Sequence, residues 1–153
     1  MHIFFICLAS ITTLLWITTG YLAFFGEDLL MHFFAGLIAT VSCLITHCWV
    51  FFYFIGTGEG IREGILENKL DTRHIKTSKR FKGMTFPFAL FSMIFMIVAT
   101  VMGAGVQSGK MNLPWHYSFV YFALAFNFFS FYQEHKVIQR NRKLMQDLNA
   151  MVD

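Results

Sequence analysis

Leu29–Ile55, LLMHFFAGLIATVSCLITHCWVFFYFI, runs for 27 residues without a formal charge. About 20 apolar residues suffice to cross the hydrocarbon core of a bilayer as a helix. A chain with this stretch must therefore place it in lipid or surround it with other apolar helices. The run also contains two histidines, His32 and His47.

The rest of the chain points to lipid. Charged residues make up only 14% of it, against about 25% in soluble domains, and 20 of the 153 residues are phenylalanine. Ile3–Phe25 is a second apolar run. No Lys or Arg stands before it and no small-residue cleavage site follows, so it reads as a retained transmembrane helix and not as a secretory signal. Met84–Val106 is a third run, with Pro87 in its first turn, where the missing N–H costs nothing. A fourth, about 114–135, opens with Asn112 as a cap and Pro114 in the first turn.

Short links, Gly26-Glu27-Asp28 and Gln107–Leu113, make these spans antiparallel neighbours. The connection 56–83 is long and basic, with Arg62, Lys69, Arg73, Lys76, Lys79, Arg80 and Lys82. Its first half has helical spacing at Ile61, Ile65, Leu66 and Leu70. Helix 2 is thus expected to continue out of the membrane, although each of its glycines costs about 1 kcal/mol relative to Ala. Helix 4 is expected to run on to about Leu148. An apolar seam of Val137, Ile138, Leu144, Met145 and Leu148 would then pack on Ile61, Ile65 and Leu66. The 56–83 connection and the tail 136–153 together carry eleven of the twelve basic residues. Positive-inside asymmetry places both termini in the cytoplasm, as in a bacterial inner membrane or its equivalent. The expected fold is all-α: a single four-transmembrane-helix antiparallel bundle, with spans about 3–25, 29–55, 84–106 and 114–135 and helices 2 and 4 extended into the cytoplasm.

Several function classes are disfavoured. The spans are read as free of Asp, Glu, Lys and Arg, with Glu134 at an end, which removes the usual carboxylate of proton-coupled carriers. TGEG at 57–60 lacks the Lys-Ser/Thr of a phosphate loop. Cys7, Cys43 and Cys48 show no zinc spacing and read as small apolar residues. The basic connection is explained by topology and anionic headgroups, and nucleic acid is not an expected partner.

Histidine remains. Helices 2 and 4 run in the same direction, which puts His32 and His116 near the outer surface and His47 and His135 in the inner half. Two parallel helices with histidines at two levels have the arrangement that ligates b-type haem. His32 and His47 lie about 22 Å apart along the axis and share a face, with Gly36, Ala39, Thr40 and Cys43 between them. His116 and His135 lie about 28 Å apart, so the outer pair matches in depth better than the inner pair.

Each residue has a plainer reading too. The small-residue stripe suits helix packing, and His32 and His116 can be hydrated at an interface. His135 sits between Glu134 and Lys136 as a solvated helix end. His47, deep in the span, needs a partner; Thr12, Thr13 and Asn127 are candidates.

The expected function is a small integral-membrane subunit of an electron-transfer complex, with haem b as its cofactor on His47, His32, His116 and His135. It would work beside other membrane subunits and not as an enzyme on its own. The alternatives are an accessory or scaffold subunit without cofactor, and a channel or carrier for a neutral solute.

Overall fold

The computed structural model describes residues 2–26 and 28–152; Glu27 of the first turn lies outside them. Among the described residues the chain is helical without strands. The helices are α1 (His2–Phe25), α2 (Leu29–Glu67), α3 (Arg73–Gln107) and α4 (Leu113–Val152). Three of them, α1, α2 and α3, are long and apolar enough to cross a membrane.

Consecutive helices pack against one another, and α1 and α4 close the bundle through a much smaller contact. The loops 26–28 and 108–112 meet at one end, called here the hairpin end. The 68–72 turn and the chain ends lie at the other, the basic end. Asp28 starts α2 by accepting the amides of Leu30 and Met31 with its side chain, which satisfies donors that a helix N-terminus leaves free.

At the basic end α2 and α4 continue as expected, and the departure lies in α3. α2 passes unbroken through Gly56, Gly58, Gly60 and Gly64 to Glu67. α3 begins at Arg73, eleven residues ahead of the expected span, so the 56–83 connection is mostly helix. Three helices are extended there, not two. The reversal is the short turn 68–72, in which Lys69 takes a left-handed φ of 54°. Packing offsets the glycine penalty. Ile61, Ile65 and Leu148 form a small core, with Leu70, Ile75, Leu144 and Met145 against it. Leu66, expected in that seam, points outward, and Val137 and Ile138 belong to the main core instead.

The main core is aromatic and tight: Phe5, Trp16, Phe54 and Phe131 close around Val50 and Ala123. Large apolar side chains cover the outside as well, among them Leu14, Phe52 and Val101. α4 divides sharply by face. Phe122, Phe128, Phe129 and Tyr132 are exposed, whereas Asn127, Ser130 and Glu134 are fully buried. Asn127, Ser130 and Glu134 therefore lower the hydropathy of residues 114–135 without facing outward.

The seam at the basic end can be tested directly. Ile65→Ala should lower stability by about 2–5 kcal/mol. Leu66→Ala, at a side chain 59% exposed, should change it by less than about 0.5 kcal/mol. Urea unfolding of the detergent-solubilised protein, followed by circular dichroism, reads both.

Candidate functional site

Polar chemistry collects at two levels. The first lies near the hairpin end, where His32 and His116 each occupy the fourth position of their helices, α2 and α4. Because the two helices are parallel, equal positions bring the rings to equal depth. Both line one cavity of about 310 Å³ set among all four helices, within the lower range of small-molecule sites. Small residues on three helices make the space: Gly20 on α1, Gly36 and Ala39 on α2, Ala99 and Gly103 on α3. Trp16, Met96, Tyr117 and Leu124 supply apolar wall, and Thr40 and Thr100, with hydroxyls 2.6 Å apart, form part of the lining.

The hydrogen bonds at this level fix a tautomer. His32 Nδ1 lies 3.1 Å from the carbonyl oxygen of Thr19. A carbonyl only accepts, so Nδ1 carries the hydrogen and, in the neutral ring, Nε2 carries the lone pair. That is the form of imidazole that binds a metal, with the other nitrogen held by a backbone carbonyl. The His116 ring packs on Gly103, where a Cβ would approach its Cε1 to 3.2 Å. His116 is buried, and its Nδ1 has no protein partner among the described residues.

The second level lies toward the basic end. His47 is fully buried and bonded on both sides: Nδ1 to Glu134 Oε1 at 2.7 Å, and Nε2 to Asn127 Oδ1 at 3.1 Å. Its ring stacks on Phe131, which Trp16 covers in turn. Cys43, one turn earlier on α2, donates its S–H to the same Asn127 oxygen. The amide orientation of Asn127 follows from its nitrogen, which donates to the carbonyls of Ala123 at 2.8 Å and Ser92 at 3.5 Å.

Glu134 overturns one sequence expectation. It does not sit at a solvated span end. It has zero exposure, and its second oxygen, Oε2, has no protein partner among the described residues. The cause is rotation about α4. Asn127, Glu134 and Asn141 are spaced seven residues apart, and a heptad returns a helix to nearly the same face. All three are fully buried. Asn141 continues the line toward the basic end by donating to Tyr53 Oη at 3.2 Å and Thr57 Oγ1 at 3.0 Å on α2. That spacing was present in the sequence and would have placed Glu134 inside the bundle.

Of the four histidines singled out as haem ligands, the structure brings His32 and His116 to one cavity. It does not bring His47 to His135. His135, one residue past Glu134, is turned about 100° away; its ring lies 4.6 Å from that of His2, and its Nε2 accepts from the Gln139 amide. With a hydrogen on Nε2 and Glu134 on Nδ1, His47 has no nitrogen free for iron in this arrangement. Of its expected partners, Asn127 is used, while Thr12 binds Ser42 and Thr46 instead. His74 lies in the first turn of α3, away from both levels. Among the described residues no three or more metal-ligating side chains converge, a grouping that leaves open a site using two histidines.

Comparison with known protein families, curated proteins and solved structures finds no match to this chain.

Removing one member of a buried pair leaves the other uncompensated, which typically costs about 3–5 kcal/mol. Glu134→Ala should show a loss of that size in thermal unfolding of the solubilised protein. Glu134→Gln, whose amide can donate to His47 Nδ1, should lose about 1 kcal/mol.

Proposed function

We propose that the chain is a small integral-membrane subunit of an electron-transfer complex, holding one b-type haem between His32 and His116. The observation that carries this reading is the convergence of these two rings, at equal depth on parallel helices, on a single cavity walled by small and apolar side chains. The donor set fits the group. His32 presents an Nε2 lone pair with Nδ1 anchored on a carbonyl, and Gly103, lacking a Cβ, leaves room for the His116 ring. Haem would supply one-electron redox chemistry there. His32 and His116 would hold it, and Trp16, Met96 and Leu124, which line the cavity, would keep water from the site.

In this reading all four helices cross the membrane. α4 qualifies because, over 114–135, Asn127, Ser130 and Glu134 face inward and the outward face is largely phenylalanine and tyrosine. The basic end is cytoplasmic, as the positive-inside asymmetry requires, and both termini and the extended helix pairs lie there. The hairpin end, with its cavity, faces the opposite side. Other membrane subunits would deliver and collect the electron.

A second reading, an accessory subunit without cofactor, draws on the loosely closed side of the bundle. Between α1 and α4 a shallow groove is lined by Phe5, Ile6, Ala9, Leu14 and Tyr132, a surface suited to a helix of a neighbouring subunit.

Spectroscopy separates the two. Protein expressed with adequate haem and purified in mild detergent should show b-type bands in reduced-minus-oxidised and pyridine haemochrome spectra, at about one haem per chain. His32→Ala and His116→Ala should each abolish them, and His47→Ala and His74→Ala should keep them. Absence of stoichiometric bands in the unmutated protein would sink the haem reading. Fixed partners co-purifying without a chromophore would support the accessory one.

A further inference from the structure

A carboxylic acid sealed inside a membrane bundle is costly and persists where it has a task. The bonding around His47 restricts what that task can be. Asn127 Oδ1 can only accept, so His47 Nε2 carries a hydrogen whatever the state of the ring. One proton then lies between His47 Nδ1 and Glu134 Oε1, either on nitrogen as an imidazolium–carboxylate pair or on oxygen as two neutral groups. Both forms have the same net charge of zero and the same number of protons. The pair is thus a single protonic unit, and Glu134 Oε2, buried and without a protein partner among the described residues, is the place where the next proton can add.

A second buried acceptor lies on the same face of α4. Asn141 Oδ1 is also without a protein partner among the described residues. It is seven residues from Glu134, about 10 Å along the axis. Neither acceptor can donate to the other, and a buried acceptor left unsatisfied costs about 1–3 kcal/mol. Water is the donor small enough to serve both. Tyr53 and Thr57, already bonded to the Asn141 amide, continue the hydroxyl line toward the basic end. On the other side of His47, Asn127 and Cys43 lead toward the cavity level.

We propose that His47 and Glu134 form a proton-binding station inside the membrane, loaded from the basic end past Asn141, Tyr53 and Thr57. A hydronium reaching Glu134 Oε2 breaks one of its O–H bonds and leaves as water. A new O–H bond forms on the carboxylate, and the pair becomes a carboxylic acid beside an imidazolium, with net charge changing from zero to plus one. Cys43 on α2 is the other ionisable group set against the pair. α1 and α3 turn Phe5, Trp16 and Ser92 toward this level, none of them charged. The station stands on the bonding around His47 and does not depend on haem in the cavity.

Infrared difference spectroscopy on the full chain in lipid nanodiscs tests this, with the proton itself as probe. Acidifying the sample should raise a protonated-carboxyl band that shifts in D₂O and is missing in Glu134→Gln. The band should appear with or without haem, so its fate is separate from that of the haem reading. Asn141→Leu should keep the band and slow its exchange with D₂O about tenfold, the change that a barrier higher by one factor of ten in rate produces. A carboxyl band invariant from acid to alkaline pH would overturn the station and leave a static structural pair. Exchange as fast in Asn141→Leu as in the parent would overturn the route. If Glu134→Gln fails to fold, ¹⁵N spectra of His47 in the unmutated protein replace it. A Nδ1 signal that moves with pH supports the station, and one that stays fixed overturns it.

Discussion

The contact between His47 and Glu134 fixes how this bundle is put together. In hydrocarbon each group alone is expensive, and only their mutual hydrogen bond makes either tolerable. That requirement sets the rotation of α4. Turning α4 by one residue, about 100°, would carry the carboxylate toward the outside of the bundle and bring His135 inward. Because Asn127 and Asn141 share the heptad line of Glu134, they are fixed by the same rotation. Asn127 meets Cys43 and His47, and Asn141 meets Tyr53 and Thr57. Three levels of polar contact thereby lock one helix against its diagonal partner, in a solvent where apolar packing alone distinguishes faces poorly.

The small-residue stripe on α2 shows how one helix face serves two purposes. It changes role near Thr40. Toward the hairpin end, Gly36 and Ala39 border the cavity, and their missing bulk is the space that a ligand would occupy. Toward the basic end, Cys43 is fully buried and bonded across the bundle. Phe131 stacks on His47, and Trp16 and Phe5 pack on Phe131 in turn, filling the space at that level, while Trp16 also borders the cavity.

The three helices long and apolar enough to cross a membrane were easy to read because composition alone marks them: a long uncharged run has few places to go. Extensions were harder. Counting glycine penalties along 56–64 suggested a weak helix, yet tertiary contacts at Ile61, Ile65 and Leu148 decide the matter. The site was half legible. Equal depth paired His32 with His116, and the shared cavity brings both rings together. The same reasoning matched His47 with His135 and missed by one residue, because depth without rotation cannot tell Glu134 from its neighbour. Glu134 was judged by its distance from the end of an apolar run, whereas its seven-residue spacing from Asn127 carried the relevant information.

Placing both polar levels on α2 and α4 also has an electrostatic consequence. The His47–Glu134 pair is neutral as a unit in either proton arrangement, so it can sit in a low dielectric without a counter-ion. The described residues that line the cavity are imidazoles, hydroxyls, the Gln107 amide and apolar wall, with no Asp, Glu, Lys or Arg among them. A charge arriving in the cavity would therefore meet no fixed opposite charge nearby. Outside the cavity's own histidines, the pair is reached from it through Asn127, on which Cys43 also bonds. In a medium where unit charges interact far more strongly than in water, the two levels would then sense each other without any movement of the helices.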